Sequence, residues 1–547
     1  ILDDQQAGEH MLYLGLVATN LSDEPVKLTL KQGASYLSQP DALFRELPSF
    51  ASNPGALLYA GPGDRVASEL IAGKAQYHDT VIEIPPQSSQ LMIPAQAQTS
   101  LQVQSLQPIT VYPLPGSLDN QPMLNSNNPE IVKEAGILVS TLPPERTSER
   151  GNNDAFLDYA FEGDFGFFAH HFLEDQNAGE HMLYLGLVAT NLSDEPVKLT
   201  LKQGASYLSQ PDAQFRDLPS FASNPAAMLY AGPGDRVASE LIAGKAQYHD
   251  TVIEIPPQSS QLISSLPVNS NVAASPPKNG RSTLMHFHSD GPVYLSHLAW
   301  FARKEGASFV PPTLEDYQSL LFAGKIVGDH DESSNFNPAE QPPKDFSYWA
   351  AEKPQDFNYG RVAGVSQGLT WKGKLWQGTQ ILERPAPGQK VGYPLASPYL
   401  KRYGTGQNQS GDMFRRYPDT ARQAHSNYGV NYELDIPLHN TTAEFQTYSL
   451  ALNHPANMIG SPNKAEMLYL FPPHKEVMFR GSVRLRWVDE YNQQQDEIVH
   501  LVLHDGQESA PLSLITIPPH TNYDLKLSLI YPADAKAPQL LTIGRVE

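Results

Sequence analysis

The side chains best suited to chemistry in this chain are oxygen ligands, imidazoles, and a cluster of tyrosines and arginines. The loop GDHDESSNFNPAE spaces oxygen donors as a calcium loop does: Asp329, Asp331, Ser333, Asn335 and Asn337, closed by Glu340. Hard carboxylate, hydroxyl and carbonyl oxygens at alternate positions suit Ca²⁺. Ser334 stands where such a loop wants glycine, and Pro338, Pro342 and Pro343 argue against an exiting helix. Calcium is therefore the one cofactor the spacing offers, against the plain reading of a solvated acidic linker. His286 and His288 fall on one face of a strand, and with His297 could offer imidazoles to zinc. The other reading is a strand edge in solvent. His170 and His171 point to opposite faces.

Between residues 393 and 432 the chain gathers Tyr393, Tyr399, Tyr403, Tyr417, Tyr428 and Tyr432 with Arg402, Arg415, Arg416 and Arg422. Tyrosine and arginine are common materials of binding surfaces. Tyr403, Tyr417, Arg402 and Arg416 are thus candidates for a glycan or partner surface, unless the tyrosines cover a sandwich end. The GPGDR runs at 61–65 and 232–236 lack the Lys-Ser/Thr of a phosphate loop and read as turns entering helices. No GxSxG elbow or HExxH pair occurs, so the expectation is a protein that is not an enzyme.

The elements that must hold these residues are strands. With 47 prolines and 38 glycines among 547 residues, and 40% hydrophobic residues, the chain suits an all-β protein with real cores and many turns. The net charge of −21 argues against nucleic acid and against anionic lipid. Cysteine is absent, which removes disulfides and thiolate chemistry. No apolar run is long enough to span a membrane.

Residues 1–92 recur at 172–263, offset by 171, and the stretch beginning at Ala7 reappears unchanged at Ala178. An older repeat lies beneath. LYLGLVATNLSDEPVKLTL around Asn191 matches YELDIPLHNTTAEFQTYSL around Asn440, and TVIEIPPQSSQ matches SLITIPPHTNY. Both copies alternate apolar and polar residues into an Asn-x-Ser/Thr turn, and later end a strand at Pro-Pro. This pattern predicts tandem Ig-like or jelly-roll antiparallel β-sandwiches with a short helical connector.

The expected division is 1–92 as a partial duplicate, 93–115 as an extended arm, and 116–310 as the first sandwich. Residues 311–355 are then a helix plus acidic linker, and 356–547 the second sandwich. DRVASELIAG reads as a helix capped by Asp64 and closed by Gly73. TLEDYQSLLFAGKI reads as one capped by Thr313. Ala95-Gln96-Ala97 has the small-x-small form of a signal-peptidase site, with no apolar stretch before it.

Residues 1–92 lack the strands expected on either side of their second copy. The arm, with Leu101, Val103, Ile109 and Val111 as its apolar residues, is the nearest spare strand. The expectation is self-association by strand exchange into a homo-oligomer or filament.

The stretches PLPGSLDNQPMLNSNNPEIVKEAGILVSTLPP, YAGPGDRVAS, NYGRVAGVSQG, RYPDTARQAHSNYGV and MFRGSVRLRW resemble a cyanobacterial family of secreted or envelope proteins, domain of unknown function 3370. The resemblance covers about 113–547. It implies export to the periplasm, cell surface or extracellular matrix, and no activity. The function expected is a structural protein of a cyanobacterial envelope or matrix. The alternative is a secreted carbohydrate-binding or carbohydrate-processing protein.

Overall fold

A computed structural model describes residues 103–144, 153–270, 272, 276–328, 361–376, 385–399, 402–456, 466–489 and 491–546. In the first 102 residues it describes Leu16–Asn20, Val26–Gly33, helix α1 (Pro62–Ile71), Tyr77–Ile84 and Ser88–Met92, with the turn at 22–25. The chain divides into two compact units, Ile1–Val103 and Gln104–Glu547.

The larger unit is all-β, with helices α2 (Pro233–Ile242) and α3 (Leu314–Ala323). The first sandwich is organised by Lys278–Phe301, a 24-residue strand. Its first half pairs with Phe161–Glu174 and Val197–Leu208. Its second half pairs with Met182–Asn191 and Gly136–Ser140. The bend falls where the register slips between Ser289 and Val293. There the Asp290 carboxylate accepts the Lys198 N–H at 2.7 Å. Asp290-Gly291 lies at this irregularity within one continuous strand, whose two halves pair with different neighbours.

The second sandwich stacks a seven-stranded sheet on a six-stranded one. The expected boundary near residue 356 does not separate the sandwiches. Ala363–Gln367 and Gly411–Arg416 extend the first sandwich's sheet through Pro122–Ser126. Ser117–Leu118 and Phe221–Ser223 extend the second sandwich. The cause is a shared core. One buried cluster runs from Phe168, Tyr207 and Leu284 through Val237 and Leu241 of α2 to Phe479, Leu527 and Tyr531.

From Gln104 onward the arm is part of this unit. Val103–Val111 lies between Glu466–Phe471 and Lys390–Leu395 in the six-stranded sheet, with Ile109 buried among Tyr403, Met467, Tyr469 and Leu540. Its edges are used within its own chain, so it is not a spare strand; Leu101 lies outside the described residues.

The older repeat appears as one polar clamp made twice. The Asn191 amide donates to the Glu195, Ile255 and Pro256 carbonyls at 2.7, 3.1 and 3.2 Å. Its carbonyl accepts the Ser193 N–H and hydroxyl. Asn440 repeats this with Glu444, Ile517, Pro518 and Thr442. Each clamp ties a hairpin turn to the strand that ends at Pro-Pro, satisfying the buried Ile255 and Ile517 carbonyls there.

Helix α2 begins at Pro233, one residue after Gly232, so the expected aspartate is not its cap. Asp235 instead reaches back from the first turn to accept the Ala231 N–H at 2.7 Å. In α1 the counterpart Asp64 likewise sits in the first turn. Gly73 lies outside the described residues. Helix α3 is capped at Thr313 as expected, the Thr313 hydroxyl accepting the Asp316 N–H; the structure adds Gly324, which closes the helix in the left-handed conformation. Gly186 makes room for α3, because a Cβ there would lie 2.3 Å from the Tyr317 ring.

In the smaller unit, Leu16–Asn20 pairs with Ser88–Met92, and Val26–Gly33 with Tyr77–Ile84. The Val26–Gly33 register repeats that of Val197–Leu208 with Tyr248–Ile255. Asn20 makes the same turn contacts to Ser22 and Glu24.

Candidate functional site

The residues expected to do chemistry do not form one site. Asp329, Asp331, Ser333, Asn335 and Glu340 lie outside the described residues, as do Asn337 and the 95–97 tripeptide. Among the described residues, Asp175, Glu180 and His181 bring ligand atoms within 4.8 Å of one another. Asp175 is already bonded there to the His181 ring and backbone and to Ser270, so the trio reads as a stapled turn.

The histidines do not converge. His286 bonds Gln203 at 2.9 Å and His288 bonds Asp164 at 2.9 Å. His297 lies past the bend, where Ser126 joins its Nδ1 at 2.7 Å and the His171 Nε2 at 2.8 Å. The His171 Nδ1 donates to the Pro129 carbonyl. This is the hydrogen-bond pattern of an activated serine, but Ser126, His171 and His297 are all buried. Burial holds His171 down to about 4 and His170 to about 3, and keeps His297 well below its ordinary range. The neutral rings therefore serve as core hydrogen-bonding groups.

A second buried network fastens α2 to the second sandwich. His500 meets Asp235 at 2.7 Å, and Ser239 joins Asp235 and Ser482 at 2.9 and 2.8 Å. Asp235, Ser239 and His500 have no exposed surface, so no substrate reaches them. Asp534 accepts the Asp235 N–H, and desolvation, joined by the nearby Asp235 charge, pushes its carboxyl up to about 7.

Of the tyrosine–arginine candidates, the tyrosines are interior and Arg402 and Arg416 are half-buried. Tyr403 and Tyr417 are 4% and 1% exposed. The Tyr417 hydroxyl donates to the Ala155 carbonyl at 2.9 Å and accepts the Ser140 N–H at 3.1 Å. Arg416 donates to three carbonyls of its own turn. Arg402 donates to Gly406 and lies over the Tyr399 ring. Tyr417 thus ties the loop to the first sandwich and Tyr403, through the Pro538 carbonyl, to the second, so tyrosine spacing alone does not tell a ligand contact from an internal one.

The concave feature that sequence reasoning missed lies on the outer face of the seven-stranded sheet. It is a groove of about 770 Å³ lined by Lys372, Lys374, Arg486 and Lys526 with Glu433 and Asp435. Strand register builds it. Lys374, Asp435, Lys526, Arg486 and Asp496 stand in one row across five adjacent strands. The signal in the sequence is alternation, as in KGK at 372–374 and RLR at 484–486, but only the register places these cations together. Lys526 pairs with Asp435 at 3.3 Å. Asp496 is taken by Arg484, whose hydrogen bonds hold its carboxyl below the usual range, with a smaller pull from Arg486. The Nε of Arg486 is buried and has no hydrogen-bond partner.

No curated protein matches this chain. Similar solved structures include the N-terminal CBM22-1-CBM22-2 tandem domain of Paenibacillus barcinonensis Xyn10C. It is 11% identical, over 76% of this chain and 99% of that one, with a TM-score of 0.12. The recombinant pro-11S globulin of pumpkin is 10% identical, over 76% and 86%, with a TM-score of 0.11. At such TM-scores neither likeness bears on function. The family described as "Protein of unknown function (DUF3370)" matches residues 2–110 and 109–545, and the chain belongs to that family.

Proposed function

We propose that the protein is a structural component of a cyanobacterial cell envelope or extracellular matrix, exported to the cell surface and self-associating by strand exchange. The observation that carries this reading is the strand pairing among the described residues of the smaller unit. In the second copy, Lys278–Phe301 pairs with both Met182–Asn191 and Val197–Leu208. In the first copy, the matching strands Leu16–Asn20 and Val26–Gly33 belong to separate two-stranded sheets among the described residues. Two-stranded sheets are marginal alone, and an open edge accepts a strand from another chain. The complement this edge fits is known from the second copy: Leu187 to Thr190 pair with His297 to Tyr294. A second molecule supplying such a strand gives a head-to-tail contact, which propagates into a filament unless it closes.

Sedimentation of the full chain against a variant lacking residues 1–97 tests this. The full chain is expected to assemble with rising concentration while the variant stays monomeric. A full chain that stays monomeric, or a variant that assembles equally, refutes the reading. A second reading, a carbohydrate-binding protein, is favoured by the cationic groove.

A further inference from the structure

Opposed like charges on a sheet face cost stability unless something sits between them. In the groove, Arg486 stands directly opposite Lys526. The nearest carboxylates are committed, Asp435 to Lys526 and Asp496 to Arg484. Among the described residues, neither Lys372 nor Lys374 makes an ion pair, and both are exposed. A chain with 59 acidic and 38 basic residues thus reverses its charge balance in one concavity, four cations against two carboxylates.

We propose that this groove binds an acidic polysaccharide, with one carboxylate of the polymer seated between Arg486 and Lys526 and another at Lys372 and Lys374. The proposal rests on the carbohydrate-binding reading and names its ligand class. Lys374 and Arg486 lie on strands three places apart, roughly 14 Å at the usual strand spacing. A single small anion cannot bridge that span, whereas an extended polyanion can. The half-buried Arg486 guanidinium lines the groove, and charge-assisted bonds to carboxylates are the strong ones. No aromatic ring is among the lining residues, so stacking on neutral sugar rings is not provided. Glu433 and Asp435 are exposed acceptors in the groove. They suit a polymer rich in hydroxyl donors and would repel one carrying phosphate at every residue.

Calorimetric titration of the full chain with polygalacturonate tests this, with neutral dextran and single-stranded DNA in parallel. Polygalacturonate is expected to bind, more weakly as salt rises. Arg486→Gln and Lys374→Gln are each expected to weaken binding at least fivefold. Lys202→Gln, a cation outside the groove paired with Asp164, is expected to leave it unchanged. Arg486→Gln is also expected to unfold at the same or higher urea concentration, because it relieves the opposition to Lys526. A purely structural Arg486 would lower it. The inference is overturned by no heat with polygalacturonate, by equal loss in Lys202→Gln, or by tighter binding of DNA. Binding of dextran alone overturns it while leaving the broader carbohydrate reading standing; binding of no polysaccharide removes both.

Discussion

Replacing Asn440 with alanine measures the clamp that both sandwiches share. Asn440 is 1% exposed. Its amide serves three carbonyls, Glu444 at 2.6 Å and Ile517 and Pro518 at 3.0 Å. Its carbonyl accepts the Thr442 N–H at 3.0 Å and hydroxyl at 2.7 Å. Two amide hydrogens cannot fully satisfy three acceptors, so the clamp counts as about four bonds, each worth about 0.5–1.5 kcal/mol net. Glu444 and Thr442 are exposed and regain water after the substitution, whereas the Ile517 carbonyl stays dry and pays an unsatisfied-group cost of about 1–3 kcal/mol.

The expected loss from Asn440→Ala is therefore about 3 kcal/mol. Urea unfolding followed by tryptophan fluorescence reads it, since Trp371 lies in the same sandwich and stacks with Tyr432. Asn440→Asp is expected to cost at least as much at neutral pH, because a carboxylate cannot donate to three carbonyls. Such a buried carboxyl has a raised folded pKa, so its deficit shrinks as pH falls. Asn191→Ala should cost a similar amount. A loss below about 0.5 kcal/mol for both alanine variants would refute the claim that these asparagines fasten the hairpin to the Pro-Pro strand.

Tyr417→Phe should cost about 1–3 kcal/mol, because it strands the buried Ala155 carbonyl and Ser140 N–H; a neutral result in the same assay would show that these two bonds do not hold the loop in place. Acid should destabilise the fold between about pH 6.5 and 4. His171, His286 and His425 are held by burial at about 4, and the unfolded chain takes up protons there that the folded chain refuses. Each contributes on the order of 1 kcal/mol per pH unit, and a urea midpoint that is flat or rises on acidification contradicts this. Asp534, raised to about 7, acts in the opposite sense, losing stability as pH rises through 7. Asp534→Asn should then help more at pH 8 than at pH 5 by the same urea assay, and no pH dependence of the difference would show that the carboxyl is not neutral in the fold.

Local patterns in the sequence determined the element types and the repeats. Alternating apolar residues, Asn-x-Ser/Thr turns and Pro-Pro strand ends act within a few residues, so they are legible without knowing the fold. Thr313 likewise marks the start of α3 by short-range hydrogen bonding. Which strands meet was decided only by the tertiary structure. Val103–Val111 looks spare as an isolated string, yet burying Ile109 against Tyr403 and Leu540 draws it into the second sandwich. Tyr417 reads as a ligand contact until Ala155 and Ser140, more than 260 residues away, take up its hydroxyl. The groove is the clearest case. Lys374, Lys526 and Arg486 are distant in sequence, and their opposition arises from cross-strand register, which long-range pairing sets and local composition does not encode.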